Sequence, residues 1–297
     1  MPSAHPPSQT VVLTGATGFL GSRLGRILVE RGHRIHAYHR AQSDRARLGD
    51  AAGKIHWHLL PDDFSAPFAA GARVDVVIHC AALYGRNGET DSDLIVANTL
   101  LPVQLFEQAQ RHGVPLFLHA GTILDPAVNA YARSKHHATE WLRAATGPPR
   151  MVNLKLQNFY GPGDDVFKFI PTLMRKCLAH APEIQLTDGH QRRDFIYIDD
   201  VVRAIIAVLE QPVSGQNKFS EVEVGSGVEV PVRELVETVH RLAGSRSRLL
   251  FGALPHRPAE PMSGHADLAA LTSLGWSPEI SLTEGLRRTL ASLTPTN

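Results

Sequence analysis

Short apolar runs alternate with helical apolar stripes along the first half of the chain. Thr10-Val11-Val12-Leu13-Thr14 suits a strand covered on both faces. From Phe19 to Arg31 the apolar positions become Leu20, Leu24, Ile27 and Leu28, the spacing of one helix face. Gly32 stands where a left-handed residue would close that helix. Arg34–Tyr38 alternates like a second strand. Val74–Cys80, Pro115–His119 and Met151–Leu156 read as further strands, and Leu94–Arg111 and Ala130–Ala145 as helices. Strands alternating with helices predict βαβ crossovers, hence an α/β, doubly wound parallel sheet covered on both faces.

Beyond Gly161-Pro162-Gly163 the rhythm changes. A helix is expected over Phe167–Ala179 and a short strand over Ile184–Leu186. Phe195–Ile198 leads into a helix that Asp199 or Asp200 could cap. Another helix opens at Pro231, and Ser281-Leu282-Thr283-Glu284 has the spacing of a capping box. This half reads as a smaller C-terminal α+β lobe. The expected division is a loose, proline-rich tail over 1–9, a first domain over 10–163 and a second over 164–297. Segments near 195–226 are expected to return to the first.

Of the 297 residues, 43% are apolar and 20% charged, which supports a sizeable core. A formal charge of +1 gives no whole-chain attraction to nucleic acid or anionic lipid. No apolar run approaches the roughly 20 residues of a membrane span, and MPSAHPPSQ lacks the pattern of a signal peptide. Two cysteines, Cys80 and Cys177, make no disulfide framework, so a reducing, cytoplasmic setting is expected. Both read as small buried residues. Among 16 histidines, His56 and His58 face one side of a strand and His136-His137 lie on a helix. Neither pair has a third ligand at recognisable spacing, so no metal is expected.

Gly15-Ala16-Thr17-Gly18-Phe19-Leu20-Gly21 joins the first strand to the first helix. Glycines there let the backbone approach a pyrophosphate, and the helix start offers free N–H groups and a positive dipole end. The spacing is GxxGxxG, and its place in the chain carries more weight than the glycines themselves. A Rossmann-like dinucleotide site follows, with Gly15, Thr17, Gly18, Phe19, Leu20 and Gly21 as contacts. Tyr38-His39-Arg40 closes the second strand with no acid before Asp44. An acid there would bind a ribose 2′-hydroxyl, whereas Arg40, helped by Arg45, suits a 2′-phosphate. NADP(H) is therefore preferred, with NAD(H) possible. The competing reading of Arg40 is a solvated surface charge.

Tyr131 and Lys135 stand four residues apart, on one helix face. An ammonium beside a phenol favours the phenolate and brings an acid of pKa near 10 toward use as a proton donor. By itself the spacing is common on exposed helix faces. Thr122 is the hydroxyl at the end of the preceding strand, placed to hydrogen-bond a reacting oxygen or simply to form a turn.

These segments resemble the extended short-chain dehydrogenase/reductases, in the epimerase/dehydratase group that acts on nucleotide sugars. The likeness rests on TGATGFLG at 14–21, DVVIHCAA at 75–82, YARSK at 131–135, NFYGPGDD at 158–165, RRDFIYIDDV at 192–201 and LGWSPEISLTEGLRRTL at 274–290. It implies that Tyr131 is the acid/base, Lys135 the cofactor-positioning lysine and Thr122 the third member of the triad. It also implies that Ala81, Ala82 and Asn98 line the cofactor. Tyr84, Asn158, Arg193 and Arg257 would hold a nucleotide-diphosphate sugar. The two long helices of the first half resemble those of the family's four-helix dimer interface, which implies a homodimer.

Within the group, TILDPAVNAYARSK at 122–135 is similar to nucleotide-sugar 4-ketoreductases of the CDP-abequose synthase type. The Thr-Asp-Glu set of 4,6-dehydratases and the serine-rich strand end of many epimerases are missing. The implied activity is NADPH-dependent reduction of a 4-keto-6-deoxyhexose carried on a nucleotide. A 4-epimerase with tightly held NAD and a non-catalytic NADP-binding sensor are the alternatives.

Overall fold

The computed structural model describes residues 8–60, 64–69, 73–212, 218–257 and 260–294. The chain forms two compact units, Met1–Lys155 with Ile206–Val222, and Leu156–Ile205 with Glu223–Asn297. Most of the expected tail, residues 1–7, lies outside the described residues. Its last two residues are held: the Ser8 hydroxyl donates to the Gly32 carbonyl, and the Gln9 carbonyl accepts from Arg34 N–H.

In the first unit β1 (Thr10–Thr14), β2 (Arg34–Arg40), β3 (Ile55–Leu60), β4 (Val76–His79), β5 (Leu116–Thr122), β6 (Arg150–Leu156) and β10 (Phe219–Val224) share one sheet. Its order is β10-β6-β5-β4-β1-β2-β3. The pairs from β3 across to β5 are parallel. Strand order reverses between β1 and β4, the Rossmann-like doubly wound arrangement the alternating pattern predicts. Such a reversal leaves a crevice at the carboxyl ends of the strands.

Helix α1 (Phe19–Glu30) buries Leu20, Leu24 and Leu28. Gly32, at φ +81°, closes it as expected, with Gly32 N–H on the Val29 carbonyl and His33 N–H on the Leu28 carbonyl. A single turn, α2 (Ala66–Ala69), places Phe68 in the core with Val12, Tyr38, Val77, Phe106 and Phe117. The helix expected over Leu94–Arg111 is three pieces. It begins earlier, as α3 (Asp91–Ile95), because Thr90 and Asp93 form a reciprocal capping box. A π-helical turn, Val96–Leu100, follows, and then α4 (Leu101–Arg111). Helix α5 (Ala130–Ala144) is capped by the Asn129 side chain, which accepts from Ala132 N–H.

One face of this sheet carries buried imidazoles. His79 and His119 are register partners on β4 and β5, fully buried, with rings 5.2 Å apart and parallel within 1°. Burial holds both well below the ordinary histidine pKa, as does the Lys135 charge. On β2 the His36 ring stacks on His56 at 5.0 Å and His58 at 5.2 Å, a third imidazole that chain spacing does not reveal. Among the described residues no group of three or more His, Cys, Asp or Glu is arranged to hold a metal ion.

The second unit contains β7 (Asn158–Tyr160), β9 (Arg192–Tyr197) and β11 (Glu229–Pro231) in one small sheet, and β8 (Glu183–Gln185) with β12 (Arg248–Leu250) in another. Helices α6 (Phe169–Leu178), α8 (Val232–Leu242), α9 (Ala269–Ser273) and α10 (Leu282–Ala291) accompany them, and α7 (Ile198–Leu209) starts here. Asp199 and Asp200 lie inside the first turn of α7 rather than capping it. The fully buried Asp200 carboxylate instead accepts from the N–H groups of Glu279 and Ile280 and from Arg203. Pro231 is the N-cap of α8, not its first helical residue. Only half of the expected box at α10 forms: Ser281 accepts from Glu284 N–H, while the Glu284 carboxylate binds Arg287 and Arg288.

His79 and His119 are neutral in the fold, yet each gains a proton below pH ~6.5 once unfolded. Stability is therefore intact above that pH and falls below it, by about 1.4 kcal/mol per pH unit per site. Urea unfolding followed from about pH 7.5 to about pH 5.5 should show this loss, and His119→Phe should reduce the slope.

Candidate active site

Backbone crowding shapes the glycine turn. A Cβ on Gly21 would sit 2.1 Å from the Gly15 carbonyl oxygen, and one on Gly15 only 2.6 Å from Ala81 N. The turn after β1 is thus packed on the turn after β4, at the reversal of strand order. The N-cap of α1 is Gly18, with no side-chain cap and no acid in the first turn, so its leading N–H groups suit an anion. Thr17, Gly18 and Phe19 are half-buried, whereas the Leu20 side chain points into the core and offers only its backbone. Ala81 is half-buried and Ala82 exposed beside them.

At the end of β2 the Arg40 guanidinium is exposed and pairs with no carboxylate of the described residues. Asp44, the first acid beyond it, accepts from Ala46 N–H. Arg45 is engaged elsewhere: its guanidinium lies 4.3 Å from the centre of the Trp57 ring and 2.9 Å from His39 Nε2.

Tyr131 lies in the first turn of α5, half-buried, and its phenol is hydrogen-bonded to Thr122 and to Tyr84. Thr122 Oγ1 also accepts from Leu124 N–H, so it shapes the turn as well. Burial, then Tyr84, push the Tyr131 pKa well above its ordinary value, while Thr122 and the Arg86 charge pull it down. Arg86, two residues beyond Tyr84, was not among the expected site residues. Lys135 Nζ is buried, has no hydrogen-bond partner among the described residues, and burial lowers its pKa to about 8. Its charge acts on Cys80, His79 and His119. A buried ammonium without an acceptor fits the hydroxyls of a nucleotide ribose. Burial drives the Cys80 thiol up to about 12, which makes it a poor nucleophile.

Asn98, expected on the cofactor, is a clamp. Its Oδ1 accepts from Leu83 N–H at 2.8 Å, and its Nδ2 donates to the Leu83 carbonyl at 2.8 Å and to Ser134 Oγ at 3.0 Å. The wider π turn carries it, fully buried, between the loop after β4 and α5.

In the second unit the expected arginines meet an acid that sequence reasoning missed. Arg193 Nη2 is 2.8 Å from Glu260 Oε1, and Arg257 N–H donates to the other oxygen of that carboxylate. His256 adds a third basic group, 3.0 Å from Asp188 and 3.6 Å from Glu260, and both raise its pKa. Asn158 Nδ2 donates to the Asp194 carbonyl.

The profile of the NAD dependent epimerase/dehydratase family matches residues 11–225. CDP-abequose synthase of Salmonella muenchen is 29% identical over 293 residues, which is 96% of this chain and 98% of that one. The UDP-glucose 4-epimerase of Thermotoga maritima, solved with UDP-glucose, has the same fold, with a TM-score of 0.81 at 21% identity over 96% of this chain and 98% of that one. MoeE5, solved with UDP-glucuronic acid and NAD, gives 0.80 at 25% identity over the same shares, 96% and 98%. From the glycine turn through Tyr131 and Lys135 to β10, the chain belongs to the NAD dependent epimerase/dehydratase family.

Proposed function

We propose that the protein is an NADPH-dependent reductase that converts the C4 ketone of a nucleotide-linked 4-keto-6-deoxyhexose to the alcohol. The reading rests on the hydrogen-bonded Thr122–Tyr131 hydroxyls at the carboxyl end of β5. The likeness to CDP-abequose synthase supports it. Bound NADPH supplies the hydride. Tyr131 donates its phenolic proton to the ketone oxygen, and Thr122 hydrogen-bonds the same oxygen as charge develops there. Lys135 holds the nicotinamide ribose through the ammonium that otherwise lacks an acceptor. In this reading the first unit is the cofactor domain and the second holds the sugar nucleotide. Arg193 and Arg257 grip its diphosphate, which must displace Glu260 from Arg193. Asn158 is on the substrate side, and Tyr84 packs against Tyr131.

The exposed guanidinium of Arg40, unpaired among the described residues, supports NADPH over NADH, and two free cysteines agree with a reducing, cytoplasmic setting. No described helix is long and apolar enough to cross a membrane. A homodimer through the helical face around Asn98 and α5 is part of the same reading. Ile95, Val96, Leu100 and Trp141 are exposed there, Trp141 by 67%.

Purified protein should consume NADPH with a nucleotide-linked 4-keto-6-deoxyhexose, followed at the reduced-nicotinamide absorbance. Tyr131→Phe should lose about 100-fold or more in kcat. NAD that copurifies, with sugar interconversion needing no added reductant, would replace this reading with an epimerase. Arg40→Ala should raise KM for NADPH about tenfold and leave NADH use unchanged. Light scattering should give a dimer that Trp141→Glu dissociates, and a monomeric parent would refute that contact.

A further inference from the structure

Tyr84 and Arg86 lie on the loop after β4, and the proposed chemistry gives Arg86 nothing to do. The Tyr84 and Tyr131 rings are 4.8 Å apart, inclined by 30°, with their hydroxyls hydrogen-bonded. Arg86 lies over the other part of this pair, 5.9 Å from the Tyr84 ring centre. Tyr84 and Tyr131 are both half-buried and Arg86 is exposed, so Tyr84 gives the Tyr131 phenol a hydrogen-bonded link toward the charged outer part of the loop.

The loop is held for this task. Asn98 binds both polar backbone atoms of Leu83, the residue before Tyr84. The same amide reaches Ser134, whose hydroxyl donates to the Tyr131 carbonyl. Thr99 fastens the next link, its hydroxyl on the Ser134 carbonyl. Gly85, at φ +69°, turns the chain where a Cβ would lie 3.2 Å from Leu94. Tyr84 and Tyr131 are thus fixed to one buried asparagine rather than left to meet by chance.

We propose that Tyr84 is a positioning residue that relays a proton to Tyr131 after each reduction. The inference rests on Tyr131 being the proton donor. Once Tyr131 has given its proton to the sugar oxygen, the O–H bond of Tyr84 breaks and its proton forms the O–H bond on the Tyr131 phenolate. Tyr84, now a phenolate beside the Arg86 guanidinium, takes a proton from a buffer acid or water. No electrons change hands. Burial and Tyr84 make Tyr131 hold its proton tightly, which favours its reprotonation, while the Arg86 guanidinium lies 5.9 Å from the Tyr84 ring, next to where the relayed charge would form. The groups facing Tyr131 are Thr122 from β5 and Tyr84 and Arg86 from the loop after β4, with Lys135 one turn along its own helix.

Tyr84→Phe keeps the ring contact and removes the relay. The expected result is a single-turnover reduction rate within about twofold of the parent, but a steady-state kcat about tenfold lower with KM unchanged. The deficit should grow with pH and be relieved by a small protonated buffer such as imidazolium, and Arg86→Gln should show it more weakly. Equal loss in both regimes with a raised KM would make Tyr84 a substrate contact and overturn the relay, as would unchanged kinetics. A second readout needs no turnover. In 3-fluorotyrosine-labelled protein, fluorine NMR should show the Tyr131 titration fall by about half a pH unit or more in Tyr84→Phe. If the parent reduces no 4-keto sugar, the proposed function fails, and an unmoved titration separately refutes the pairing.

Discussion

Between the Gly21 α-carbon and the Gly15 carbonyl there is space for hydrogen and nothing larger, and Gly15 meets Ala81 in the same way. This crowding brings the start of α1 down onto the ends of β1 and β4. The rest of the site is arranged around it. With the two turns locked together, the chain leaving β4 must run outward from Ala81, which carries Leu83, Tyr84 and Arg86 past the end of β5. Thr122 ends that strand, and α5 returns over the same sheet face to bring Tyr131 and Lys135 alongside. A side chain at either glycine would separate the turns and unseat every later contact.

Beneath the site the sheet offers Lys135 no anion. Its nearest titratable neighbours are two imidazoles held neutral by burial and a thiol that stays protonated. An ammonium in such surroundings holds its proton less firmly, with a pKa near 8. Positive charge close to the phenol comes from a more exposed source, Arg86, which also lies over the ring of Tyr84. The lysine and the tyrosine share a helix face but answer to different neighbours.

The sheet and its reversal were readable because burial on both faces demands unbroken apolar strands, and TVVLT followed by spaced glycines has few other uses. Gly32 was readable for a similar reason, since a left-handed closure favours glycine. Strands of three residues, β7, β11 and β12, are too short for any period to appear, and β8 showed only as the short apolar run at Ile184–Leu186. The π turn left no trace because one inserted residue disturbs an apolar stripe no more than ordinary variation does. Asp200 looked like a cap because capping and burial under backbone N–H groups call for the same side chain. His36, Arg86 and Glu260 join their partners only through tertiary contacts, so spacing along the chain could not expose them.

The π turn also sets the rotational phase of everything after it. One residue advances a helix by about 100°, so the wide turn at Val96–Leu100 lets Asn98 face inward while Ile95, Val96 and Leu100 look outward. Deleting a single residue there would restore regular winding without exposing a charge or opening a cavity. It would swing the amide away from Leu83 and bring a neighbouring side chain under the loop. An error of phase, unaccompanied by any loss of apolar character, would then leave a folded protein whose paired phenols no longer meet.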